Sequence, residues 1–157
     1  MFLKLRSLIF KIDPEIAHSL AIKSLKFNFA STIFDENKNN PMFQTTLFGK
    51  QIDNPIGMAA GFDKNAEVYN PLFKLGFGFV EVGTVTPLKQ YGNSKPRVFR
   101  LEEDQALINR LGFNSFGAED INSRIRSNTP TGLLGINIGP NKDTKDRLND
   151  YLIGLRT

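Results

Sequence analysis

Residues 56–84 read IGMAAGFDKNAEVYNPLFKLGFGFVEVGT, and the architecture follows from them. The two ends, Ile56–Ala60 and Phe79–Thr84, are short and nearly continuous apolar runs, and Tyr69–Leu75 between them has helical spacing. Strand, helix and strand in that order make a βαβ unit. Runs without polar alternation suit strands covered on both faces of a parallel sheet.

The same rhythm continues downstream, with a helix expected over Ala118–Ser127, a strand over Leu133–Ile138 and a helix over Lys145–Leu155. In the last, Leu148, Tyr151, Leu152 and Leu155 recur at i, i+3, i+4 and i+7 and are expected to face a core. A hairpin, Arg97–Leu101 with Ala106–Asn109, interrupts the long loop after the second strand, and a smaller one, Thr45–Leu47 with Lys50–Ile52, precedes the first. That makes three βα units. No strand ends in GxGxxG, so a dinucleotide-binding Rossmann domain lacks its fingerprint.

Upstream, residues 2–12 place Leu5, Leu8, Ile9 and Ile12 on one helical stripe, with Lys4, Ser7 and Lys11 opposite. Asp13-Pro14-Glu15 then starts a second helix, running to about Phe27, with Ile16, Leu20 and Phe27 on one stripe and Ala17, Ala21 and Leu25 beside it. A helical pair packed on the main domain is the plain reading; a membrane-facing module is the sharper one. Residues 1–30 carry five Lys and Arg against two Asp and Glu, most of the +4 net charge. The polar run 35–41 separates this module from the rest, dividing the chain into 1–40 and 41–157.

Composition bounds the chemistry. With 157 residues the chain suits one compact domain. It has no Cys and one His, so disulfides, zinc–thiolate sites, iron–sulfur clusters, Cys nucleophiles and multi-histidine metal sites are excluded, and no metal is expected. The near-neutral body argues against a nucleic-acid partner. No apolar run is long enough to span a bilayer, and Leu8-Ile9-Phe10 is too short for a signal-peptide core.

Polar residues gather just after the strand ends, where ligands bind in α/β sheets and barrels. They are Ala59-Ala60-Gly61-Phe62-Asp63-Lys64, then Gly83-Thr84-Val85-Thr86-Pro87, then Asn137 to Lys142, with Asn109-Arg110-Leu111-Gly112-Phe113-Asn114 between them. Singly, each has a plain explanation as tight packing, cap or turn. Jointly, amides, Thr and Lys at three successive strand ends favour a site for a planar, hydrogen-bonding ligand.

At these residues the chain resembles the dihydroorotate dehydrogenase family. Asn54–Lys64 resembles its first-strand signature and Gly76–Pro87 its second-strand block; Lys95–Leu101, Ile108–Asn114 and Leu134–Gly139 continue the match in order. The N-terminal helices resemble those of the quinone-dependent, membrane-associated class 2 branch. The resemblance implies an α/β fold, the N-terminal part of a (β/α)8 TIM barrel preceded by a two-helix module. It implies FMN at the barrel mouth, dihydroorotate oxidised to orotate in pyrimidine biosynthesis, a ubiquinone-type acceptor, and peripheral attachment to the cytoplasmic side of the membrane. Carried over by residue, Ala60, Gly61, Phe62, Asp63, Lys64, Thr84 and Asn137 would hold FMN. Lys64 and Asn109, Arg110, Leu111, Gly112 and Phe113 would hold substrate. His18 and Arg100 would line the quinone tunnel, a satisfied helix histidine being an equal alternative for His18.

The family's catalytic Ser, in a Ser-Pro-Asn loop after the fourth strand, has no counterpart here and is expected beyond Thr157. The chain therefore reads as truncated and inactive alone. A shortened non-catalytic paralogue acting as a membrane or interaction module is the alternative, and another FMN-dependent barrel a third reading.

Overall fold

The computed structural model describes residues 9–27 and 41–157. The helix expected over 2–12 lies mostly outside that range, as does the run 35–41 apart from Pro41. Asp13 caps helix α1 (Pro14–Lys26), its Oδ1 accepting from the Glu15 and Ile16 N–H groups at 2.9 and 3.1 Å, with Pro14 in the first turn. The face it buries is not the Ile16–Leu20–Phe27 stripe. Ile22 and Leu25 are buried, whereas Ile16 and Leu20 are 54% and 51% exposed and Phe27 lies past the helix end in solvent. Polar anchors set the helix's rotation: Glu15 is ion-paired to Arg97 and His18 hydrogen-bonded to Phe62 O. The inward seam is therefore His18, Ile22 and Leu25.

After a 3-10 turn at Pro41–Phe43, β1 (Thr45–Leu47) and β2 (Lys50–Ile52) form the expected antiparallel hairpin. The central sheet is parallel, in the order β3 (Gly57–Met58), β4 (Phe79–Val85), β7 (Leu133–Ile138). Strand β3 is shorter than the run Ile56–Ala60, because beyond Met58 the chain leaves the ladder for a loop tied to β4 by Gly61 N–H to Gly83 O (2.9 Å) and Gly83 N–H to Asp63 O (3.0 Å). Gly57 is required at its position, since the Phe79 ring occupies the space a Cβ would need.

Each strand is followed by a helix: α2 (Tyr69–Lys74) after β3, α3 (Ala118–Ser127) after β4, and α4 (Arg147–Arg156) after β7. The hairpin β5 (Val98–Leu101) and β6 (Ala106–Asn109) sits in the β4–α3 connection. Val80, Val82 and Val85 of β4 are buried in one cluster with Tyr69 and Leu72 of α2, Ile121 of α3, and Ile22 and Leu25 of α1.

Helix α4 does not present its apolar stripe to a core. Leu148 and Leu155 are 70% and 73% exposed, and Tyr151 and Leu152 are also exposed. The helix meets β7 through Gly154, which lies close to the Ile138 side chain, and buried Asp150, which accepts from Asn141 N–H at 2.8 Å. These contacts turn the stripe outward, where nothing among the described residues covers it.

Candidate active site

The loop after β3 meets the N-terminal helix around a cavity of about 680 Å3, walled by α1, the 61–67 loop, the β5–β6 hairpin and the loop that follows it. The loop after β3 keeps its shape through Asp63. Its Oδ1 accepts from Glu67 N–H at 2.7 Å and its Oδ2 from Val68 N–H at 2.8 Å, and burial raises its pKa above the ordinary carboxylate value, against those two bonds. This folding places Lys64 on the cavity wall, donating to Gly61 O at 2.6 Å; burial lowers its ammonium pKa while Glu15 acts in the opposite sense.

His18 enters from α1. Its Nε2 lies 2.7 Å from Phe62 O, and because a carbonyl only accepts, Nε2 carries the proton and donates. Burial, and then the Lys64 charge, lower its pKa, which favours the neutral ring with Nδ1 as an acceptor. Arg100 Nη1 donates to Phe10 O and Ile12 O at 3.0 and 2.7 Å, and the guanidinium lies over the Phe10 ring. It therefore holds the chain entering α1 while lining the same cavity.

The strongest tie between helix and sheet is Arg97, nearly buried, whose Nε and Nη2 clasp Glu15 at 2.9–3.2 Å while Nη1 donates to Tyr91 O and Asn93 O at 2.7 and 2.8 Å. This hydrogen bonding to Arg97 is the main cause of Glu15's lowered pKa. Glu15 and Arg97 were not singled out from sequence. A long-range ion pair leaves no local signal beyond a charged residue in an otherwise strand-like run.

Gly61, Phe62, Asp63, Lys64, Asn109, Leu111, His18 and Arg100 all line this cavity. Three members of the expected substrate loop do not. Arg110 donates to Pro96 O and stacks over Phe99, Gly112 packs against Asn93, and Phe113 is exposed. The turn that puts Leu111 inward, with Leu111 N–H on Asn109 Oδ1 at 3.5 Å, sends its neighbours outward. Asn114 also lines the cavity, and its Oδ1 is buried without a hydrogen-bond partner.

Thr84 and Asn137 form a second group at the strand ends, and Ala60 precedes Gly61, whose N–H joins the first group to this one through Gly83 O. Thr84 Oγ1 donates to Asn137 Oδ1 at 2.6 Å, and Asn137 Nδ2 donates to Glu81 Oε1 at 3.1 Å. Around Gly61 the space is open, with nothing within 4 Å of where a Cβ would stand. Small residues, paired amide and hydroxyl groups and a lysine fit the polar edge of a flat heterocycle such as that of FMN.

Three parallel βα units, with polar side chains gathered at their C-terminal ends, fit part of a (β/α)8-barrel enzyme built around a planar ligand. The profile of the family described as dihydroorotate dehydrogenase matches residues 42–157. A Bartonella tribocorum protein named dihydroorotate dehydrogenase (quinone) is 50% identical over 152 residues, covering 96% of this chain and 41% of its own. One of the same name from Agrobacterium fabrum is 51% identical over 147 residues, covering 94% and 40%. The crystal structure of DHODH from Eimeria tenella in complex with ferulenol superposes with a TM-score of 0.83 at 40% identity, over 92% of this chain and 40% of that one. The chain belongs to the dihydroorotate dehydrogenase family, and it spans about two fifths of the length of the curated relatives it matches.

Proposed function

We propose that this chain is part of an enzyme that oxidises dihydroorotate to orotate in pyrimidine synthesis and passes the electrons to a quinone. The observation that carries the reading is the meeting of Lys64, Asn109, His18 and Arg100 in one cavity, although they come from the loop after β3, both strands of a hairpin and a helix far apart in sequence. The relatives' shared name, dihydroorotate dehydrogenase (quinone), supports the same substrate and acceptor.

FMN, when bound, supplies a two-electron acceptor. Thr84 and Asn137 would hold its ring edge, with the backbone of residues 60–63 beside it. Lys64 brings a positive charge where substrate carboxylate and reduced cofactor each carry a negative one. Asn109 offers both an amide donor and an acceptor to a pyrimidine edge. The base that takes the substrate proton is assigned to a Ser outside these 157 residues. Helix α1, clasped by Arg97, forms one wall of the cavity, and His18 and Arg100 line the approach for a quinone. Exposed Ile16, Leu20 and Phe27, with Lys23 and Lys26 near them, suit peripheral contact with a membrane. Among the described residues no helix is long and apolar enough to cross one.

The test is an assay of the full-length protein for dihydroorotate-dependent reduction of a quinone, alongside its visible spectrum. A flavin spectrum and substrate-dependent quinone reduction are expected. A colourless full-length protein that does not take up added FMN would overturn the reading.

A further inference from the structure

Glu81, Asn137 and Thr84 form a line of polar groups across β4 and β7 whose inner end has no role in the site described above. Gly83 and Asn137 are register partners, as are Glu81 and Gly135, two residues earlier on each strand. Gly135 has no side chain, so Glu81 extends over it, and its Oε1 reaches Asn137 Nδ2 at 3.1 Å. At the mouth end, Asn137 Oδ1 lies 2.6 Å from Thr84 Oγ1. A bulge puts Thr84 there: Gly83 and Val85 pair with the consecutive residues Asn137 and Ile138, leaving Thr84 as the extra residue.

The orientation of each group follows from the carboxylate. An ionised carboxylate only accepts, so Asn137 must turn its NH2 toward Glu81 and its carbonyl toward the mouth. Thr84 faces that carbonyl, so its hydroxyl must donate inward. What remains at the mouth is the second lone pair of Asn137 Oδ1 and the lone pairs of Thr84 Oγ1, all acceptors. We propose that Glu81 is a positioning residue that fixes this polarity, so that the strand-end site selects a ligand presenting a ring N–H, as the imide edge of an isoalloxazine does. The proposal rests on the FMN reading above.

Glu81→Gln keeps the shape but can donate as well as accept, so Asn137 is free to turn. The experiment titrates FMN and N3-methyl-FMN into the full-length apoprotein, follows the quenching of flavin fluorescence, and records the apoprotein's melting temperature. The wild type should prefer FMN over its N3-methyl analogue by roughly tenfold, the effect of one hydrogen bond lost with an acceptor left unpaired. In E81Q that preference should fall to about twofold with little change in melting. In the double variant E81Q/N137D the carboxylate at 137 accepts from the introduced amide and from Thr84 together, so the preference should return. A preference unchanged in E81Q, or absent in a folded double variant, would overturn the positioning role while leaving the function reading intact. A wild type that binds no FMN would overturn both.

Discussion

Asp63 shows how an acid can serve a site without offering its charge to a ligand. It stands in the run expected to hold FMN, yet both carboxylate oxygens are taken by the backbone of Glu67 and Val68. Its task is to shape the loop that presents Gly61, Phe62 and Lys64. Asp63→Ala would leave one buried and one part-buried N–H group unpaired, at a cost of about 2–3 kcal/mol, read as a lower urea midpoint. Lys64→Ala acts differently. It removes the ammonium but none of these backbone bonds, so stability should hold while affinity for FMN and orotate falls by roughly tenfold or more, measured by titrating each ligand. Equal losses of stability in the two variants would refute the division of labour.

Sequence made the location of these residues plain and their tasks obscure, because an aspartate in a loop of small residues reads the same whether it caps or binds. Glu81 carried a signal that went unused: a lone acid within the apolar run Phe79-Val80-Glu81-Val82 has to find a donor when the strand is covered.

At the level of elements, periodicity located nearly every helix and strand among the described residues. It misjudged which way α4 faces and left the inward face of α1 open. In α1 the apolar residues spread around the helix, so hydrophobicity alone could not choose between Ile16–Leu20 and Ile22–Leu25 as the inward seam. The choice is made by Glu15, clasped by Arg97 from β5's flank, a partner that local pattern cannot reveal. Glu15→Ala should therefore loosen α1 from the hairpin and cost about 3 kcal/mol, since it leaves a buried guanidinium with its bonds to Tyr91 O and Asn93 O but no counter-charge.

The same pair carries a pH dependence. Glu15 keeps its charge to lower pH in the folded chain than in the unfolded one, because Arg97 holds it below its ordinary value of 4.5. The unfolded chain thus takes up the proton first. The stabilisation is complete above that ordinary value and is lost as pH falls through the lowered one. Melting curves from pH 7 downward should show wild type and Glu15→Gln converging below about pH 4.5. A gap that stays constant to pH 3 would rule the pair out as the latch.

For the whole molecule, the misjudged face of α4 is the informative one. Leu148, Tyr151, Leu152 and Leu155 keep the spacing of a helix packed on a core, yet they are exposed beside β7, which among the described residues pairs on one side only. A half-paired strand next to an apolar helix stripe offers both backbone hydrogen bonds and hydrophobic area to another chain segment. A segment of 157 residues with these surfaces bare should bind a hydrophobic dye and self-associate at micromolar concentration. The substitutions L148K and L155K, at the two most exposed leucines of the stripe, should reduce both dye binding and association, because neither side chain contributes to the buried core. Sedimentation velocity with dye fluorescence would read this directly. If the segment is monomeric and dye-free, its outward stripe is ordinary surface. If it associates and the two substitutions disperse it, the stripe is an interaction surface that draws another apolar segment onto α4.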